Sequence, residues 1–233
     1  MPNHIINIVT IKGNKDRVKE ILEEIKDDEI GYGSIDFNKI DPMPKDLEID
    51  SGTLTDRGLK YYKEFVSVYT AFQNRTKDEL LNIPEDKEKI FLRQRKDIDS
   101  EEWKLGRQAY RNELKYGAPT WYEWAYKHWG TKWNAYGYDY DCGLVSDDKI
   151  SFETAWCSPM EILQKLSEKY PDVGISVEWA DECRSNGCGC YEYRGGKLEN
   201  DFYPQDEDET ERTSERLWHD GLNASVQNFD LKQ

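Results

Sequence analysis

The chain has 233 residues and a net charge of −15, long enough to bury one good core with an elaboration and too acidic for nonspecific adhesion to nucleic acid. Mean hydropathy is low at −0.93, but 15 Tyr, 8 Trp and 7 Phe supply apolar area that a disordered chain lacks. No stretch approaches the roughly 20 apolar residues of a membrane span, and Met1-Pro2-Asn3-His4 lacks the layout of a secretory signal, so the expectation is a cytoplasmic protein with no membrane partner.

Residues 5–12 are β-branched with some alternation and end at Gly13-Asn14, which predicts a strand. From Lys15 to Lys26, Val18, Ile21, Leu22 and Ile25 fall on one helical face that packs on a sheet. Ser34 to Ile40 alternates before Pro42 and Pro44 and predicts a second strand.

The period then becomes helical. Thr55 is placed to cap a helix running to Phe72, Glu85 to Asp97 follows Pro84, and Ser100, Trp103, Ala109 and Tyr110 mark a helix that ends near Gly117. Pro119-Thr120 opens a short aromatic helix. Lys149 to Trp156 alternates as a strand, Ser158-Pro159 starts a helix that Pro171 stops, and Val173 to Ala180 gives a fourth strand. Cys188 to Arg194 with Gly195-Gly196 predicts a hairpin, and the acidic stretch Asp206 to Glu211 reads as solvated, ahead of a short helix to Ala224.

The order β-α-β, insert, β-α-β predicts an α+β fold: a ferredoxin-like split βαβ antiparallel sheet with a long helical insertion between the second and third core strands and a C-terminal hairpin. The expected domains are 1–54 with 129–200 as the ferredoxin-like part, 55–128 as the helical insertion and 201–233 as an acidic tail. Charge follows this division. Residues 1–54 carry 7 Lys and Arg against 12 Asp and Glu, residues 55–128 carry 15 against 13, and residues 129–233 carry 10 against 22.

Three motifs carry a family resemblance: Pro2-Asn3-His4 leading into the first strand and Gly13, the box Trp129-Gly130-Thr131-Lys132-Trp133-Asn134-Ala135, and Phe152-Glu153-Thr154-Ala155-Trp156 followed by Ser158-Pro159. In these the chain resembles the YubB-like ferredoxin-fold proteins of phages, plasmids and integrated mobile elements. The resemblance covers the outer halves and not the insertion. It implies the ferredoxin-like fold and a mobile-element origin, and brings with it no reaction, cofactor or catalytic residue.

Candidate sites are weighed against plainer roles. Cys183, Cys188 and Cys190 could bind zinc, but C-x4-C-x-C is not a two-knuckle spacing and a fourth ligand would come from afar. With Cys142 and Cys157 the cysteines are odd in number, and reduced thiols are the expectation. His4, His128 and His219 are far apart, and His4 reads as a hydrogen-bonded strand-end residue rather than a base. The Asp139 to Asp148 acids read as a solvated loop.

Two features suit binding. Trp129, Lys132, Trp133 and Asn134 lie in an aromatic tract whose rings stack on a ligand or glue the insertion to the sheet. Lys89, Arg93 and Lys96 form one basic helical face that phosphates or an acidic protein would fit.

The functional expectation is a non-enzymatic mobile-element protein, without cofactor, that binds a host protein; an inhibitor of a nucleic-acid-binding defence nuclease, of anti-CRISPR or antirestriction type, is the specific form. The alternatives are a single-stranded nucleic-acid-binding module using the sheet and the aromatic and basic insert, and an uncharacterised enzyme using scattered His, Asp and Cys residues.

Overall fold

A computed structural model describes residues 3–184 and 186–224. The chain divides into two compact units, residues 1–42 with 125–233, and residues 43–124.

The first unit is built on β1 (His4–Lys12), β2 (Leu144–Ser146), β3 (Lys149–Ala155), β4 (Gly174–Asp181), β5 (Cys188–Arg194) and β6 (Lys197–Phe202), with helices α1 (Lys15–Ile25), α7 (Met160–Lys169) and α8 (Glu207–Leu222). The strands form one antiparallel sheet in the order β2-β3-β1-β4-β5-β6. Its first four positions, with α1 after β1 and α7 after β3, are the ferredoxin-like split βαβ arrangement. The β5-β6 hairpin widens the sheet at one edge.

The expected second strand is elsewhere. Residues 34–40 form a loop and a 3-10 turn, Phe37–Lys39, capped by the Asp36 carboxylate. Their alternation is real, because Ile35 and Phe37 are buried. Side chains take the place of a strand partner: the Tyr138 hydroxyl accepts from the Ile35 amide at 3.0 Å and Asn134 Oδ1 from the Phe37 amide at 2.9 Å. The short β2 holds the second core position, so the helical insertion precedes the second core strand instead of following it.

Alternation along β1 sorts its residues between two covered faces. Ile5, Asn7, Val9 and Ile11 point to the face of α7, where Asn7 accepts from Ser158, the residue two before α7, at 2.7 Å. α1 buries Val18, Ile21, Leu22 and Ile25, and Arg17 reaches Asp172 just after α7 at 2.8 Å. Ser158 is not a helix cap: its hydroxyl also meets that of Tyr191 at 2.7 Å, and α7 starts without a side-chain cap.

On the other face, Ile6 and Ile8 cluster with Cys142, Ala180, Cys188 and Leu217 beneath α8. Gly221 comes so close that a Cβ there would meet Ile6 Cγ1 at 2.7 Å. The acidic stretch from Asp206 is therefore the first turn of a sixteen-residue helix, capped by Asp206, which buries Ser214, Leu217 and Gly221 on the sheet. Acidic residues suit that position, where they meet the positive end of the helix dipole. Pro2 and residues 225–233 of the expected motif and tail lie outside the described residues.

The second unit contains α2 (Thr53–Thr70), α3 (Lys77–Leu81), α4 (Glu85–Gln94) and α5 (Ser100–Tyr116), and the start of α6 (Trp121–His128). Thr55 lies inside α2, with its hydroxyl on the Asp50 carbonyl at 2.6 Å, and Asp99 caps α5. At the crossing of α2 and α5 backbone touches backbone: a Cβ on Gly106 would lie 2.0 Å from the Gly58 carbonyl oxygen. Tyr62, Phe65, Val66, Ile83 and Trp103 make the core, with the Tyr62 and Trp103 rings 5.0 Å apart.

Candidate functional site

The aromatic box separates into residues that fasten and residues that face out. Trp129 is buried against the Phe37 ring at 5.7 Å and donates Nε1–H to the Asp41 carbonyl at 2.9 Å. Thr131 bonds the Ala155 carbonyl, and Asn134 holds both the Phe37 amide and the Asp36 carboxylate. Trp129 and Asn134 hold the 35–41 segment in place of a strand ladder, and Thr131 ties the box to the end of β3. Trp133 is exposed, with the Lys132 ammonium 4.6 Å from its ring centre.

The predicted basic face is broken, because α4 ends at Gln94 and leaves Lys96 beyond the helix that carries Lys89 and Arg93. Lys89 pairs with Glu85 at 3.3 Å, and Lys89 and Lys96 line a cavity of about 400 Å³ within the second unit, with Arg95, Lys104 and Arg107. Arg93 is not among its lining residues. Glu88 in the same wall is buried and accepts from Tyr62 at 3.0 Å, Trp103 Nε1 at 2.9 Å and Arg107 at 3.4 Å.

The cysteines stay apart in role. Cys188 is buried with its thiol near the Thr210 carbonyl, Cys190 is half-buried in β5, and Cys183 is exposed beyond β4. All five are free thiols, and among the described residues there is no group of three His, Cys, Asp or Glu arranged to hold a metal. Burial pushes the Cys142 thiol up to about 12, with the Glu153 carboxylate adding to it.

A centre the sequence did not single out lies at the His4 end of the sheet. Glu153 sits opposite Ile6 in the ladder, so His4, two residues earlier in β1, is its diagonal neighbour on the α8 face. His4 Nδ1 is 2.9 Å from Glu153 Oε2 and 3.0 Å from the Tyr136 hydroxyl. Tyr136 is held there by a two-way backbone pairing with Glu153, at 3.0 and 2.8 Å. The exposed Glu182 accepts from the His4 amide at 3.2 Å.

These groups open on a cavity of about 580 Å³ lined by His4, Tyr140, Glu153, Glu182, Arg184 and Trp218. Burial raises the Glu153 carboxyl above the ordinary range; His4 opposes that shift and the Glu182 carboxylate reinforces it. Burial, then the charges of Glu153 and Glu182, raises the Tyr136 phenol. Trp218 is fixed by its indole N–H on the Asp181 carbonyl at 2.9 Å. Just beyond β3, Trp156 adopts a left-handed backbone at φ 72° with its amide on the Asn3 carbonyl and its side chain exposed. A bulky residue in that conformation costs about 1–3 kcal/mol, and such strain clusters at functional sites. The arrangement can hold a proton between His4 and Glu153 and can present carboxylate and aromatic faces to a ligand.

The pattern that could have revealed this centre is the antiparallel register itself. Once His4 and Ala155 are paired, Glu153 must share a face with His4.

Residues 129–220 match the family model described as the ferredoxin-like domain in Api92-like proteins. The match supports a ferredoxin-like family under that description and not under the YubB-like name. Among solved structures, the chain is similar to the protein api92 from Yersinia pseudotuberculosis, at 12% identity and a TM-score of 0.37, over 88% of this chain and 99% of that one. No curated protein matches the chain. Among the described residues no helix is long and apolar enough to cross a membrane.

Proposed function

We propose that the protein acts by binding a basic surface on a host macromolecule, as a product of a phage or other mobile element of the YubB-like kind. The observation that carries this reading is the segregation of charge. Residues 1–42 with 125–233 hold 17 Lys and Arg against 31 Asp and Glu, whereas residues 43–124 hold 15 against 16. A unit with that excess of carboxylates creates a field that steers cationic partners and repels nucleic acid. The specific form is occupation of the phosphate-binding cleft of a defence nuclease, of anti-CRISPR or antirestriction type.

The test is displacement of labelled DNA from purified defence nucleases by the full chain. The expected result is release of DNA that weakens as salt is raised. No displacement from any nuclease at low salt, together with unchanged restriction of phage in hosts expressing the protein, would overturn the proposal.

A second reading, single-stranded nucleic-acid binding, has one specific observation behind it: the cavity of the second unit, with Lys89, Lys96, Lys104 and Arg107 in its wall. The sheet gives it less support, because α8 lies across β1, β3, β4 and β5 where stacked bases would need an open platform. Salt-dependent binding of single-stranded DNA or RNA that is lost in a Lys89→Glu, Lys96→Glu variant would favour it over the first reading.

A further inference from the structure

We propose that the cavity at the His4 end of the sheet receives an arginine side chain of a protein partner, an inference that rests on the reading of the first unit as a binder of basic surfaces. The argument begins with Glu153, whose side chain is 9% exposed and borders the cavity. A carboxylate taken out of water needs compensation, and the donor the structure gives its Oε2 atom is His4, which also faces the Tyr136 hydroxyl. Glu182 supplies a second carboxylate on the rim, so two acceptors border one opening. Burial already holds the Glu153 proton more tightly than usual, and an incoming cation favours its release.

The remaining walls select the shape of the cation. Trp218 and Tyr140 line the same cavity, and the Trp218 ring is fixed by its indole bond to Asp181. A flat guanidinium stacks on an aromatic face while its edge donates to carboxylates; an ammonium offers a compact charge and no plane. The cavity's own cation, Arg184, is turned to Glu215 in an ion pair. The volume of about 580 Å³ suits one long side chain with water around it.

The experiment uses the full chain and three short peptides of one sequence that differ at a central residue: arginine, lysine or citrulline. The readouts are the NMR signals of the Trp218 indole N–H and the His4 ring. The expected result is saturable shifts at both with the arginine peptide, with a Kd of about 1 mM for so small a ligand, and at least tenfold weaker binding of the other two.

Glu182→Gln, an exposed change that leaves the fold alone, and Glu153→Gln should each weaken the arginine peptide about tenfold. Glu168→Gln, on α7 beyond the opposite face of the sheet, should not. Citrulline or lysine binding as well as arginine, or saturation without movement of Trp218 and His4, would overturn the proposal. If Glu182→Gln and Glu153→Gln still displace DNA from a nuclease as the natural chain does, the arginine site fails while the binding reading stands. Saturable arginine binding with no basic macromolecule engaged would remove the broader reading and keep the site.

Discussion

Both units bury glutamate, Glu88 and Glu102 in the helical unit and Glu153 in the sheet unit, and Glu88 and Glu153 are treated in opposite ways. In the helical unit Glu88 accepts from a phenol, an indole and a guanidinium, and so is spent on holding α2, α4 and α5 together. In the sheet unit Glu153 has His4 as its donor and borders a cavity. The same residue type at similar burial is a structural tie where donors saturate it and a binding group where they do not. Charge outside the cores follows the same division, with near balance in the helical unit and a large acidic excess in the sheet unit.

The comparison breaks most visibly at the glycine crossing. In an open helix Gly106→Ala would stabilise by about 1 kcal/mol, but here the added methyl lies 2.0 Å from a carbonyl oxygen that cannot rotate away. Overpacking against backbone should cost about 3 kcal/mol or more and reverse that sign. The helical unit should lose hydrogen-exchange protection across α2 and α5 while β1, β3 and β4 keep theirs. Equal loss in both units would show that they do not unfold separately.

The corresponding tie in the sheet unit is Asn7, fully buried in β1. It donates to Thr154 at 2.9 Å and to the Ile5 carbonyl at 3.0 Å, and accepts from Ser158, which in turn meets Tyr191. Asn7→Ala leaves several of these buried groups unpaired and should cost about 2–3 kcal/mol, read as a lower denaturation midpoint with an unchanged slope. A cost below about 0.5 kcal/mol would mean that water replaces the amide.

Glu88→Gln keeps the shape and one acceptor but removes the charge shared by three donors. A loss of about 1–2 kcal/mol in the helical unit is expected. The exposed pairs of the same helices, such as Lys89 with Glu85, should give much less when broken.

Both units show how far a single sequence reaches. The helical stripes, β1, β3, β4 and the β5 turn were legible because period and punctuation are local. Residues 34–40 misled because Ile35 and Phe37 are buried as alternation demands, while their amides are satisfied by Tyr138 and Asn134 from about a hundred residues away. The acids at the start of α8 are largely exposed, as read, but the sixteen-residue helix they head was hidden because the residues it buries, Ser214, Leu217 and Gly221, are few and two of them small. The His4 centre was hidden for a related reason: His4, Tyr136 and Glu153 become neighbours only when strand register is known, and no spacing along the chain encodes it.

The smallest effect is also the most direct test of the contrast between the glutamates. Burial raises the folded-state pKa of Glu153 above the value it takes in the unfolded chain, with Glu182 adding to the shift and His4 opposing it. The folded state therefore binds the proton more tightly, and stability from this group is present below the ordinary glutamate pKa and lost as pH rises through the raised one. Glu153→Gln removes that loss. In paired melts the natural chain should be the more favoured at about pH 4 and should fall relative to the variant as pH rises through the weakly acidic range. A difference that grows in the other direction would mean that the His4 pairing outweighs burial, making Glu153 a structural tie like Glu88 and closing the cavity to a cation.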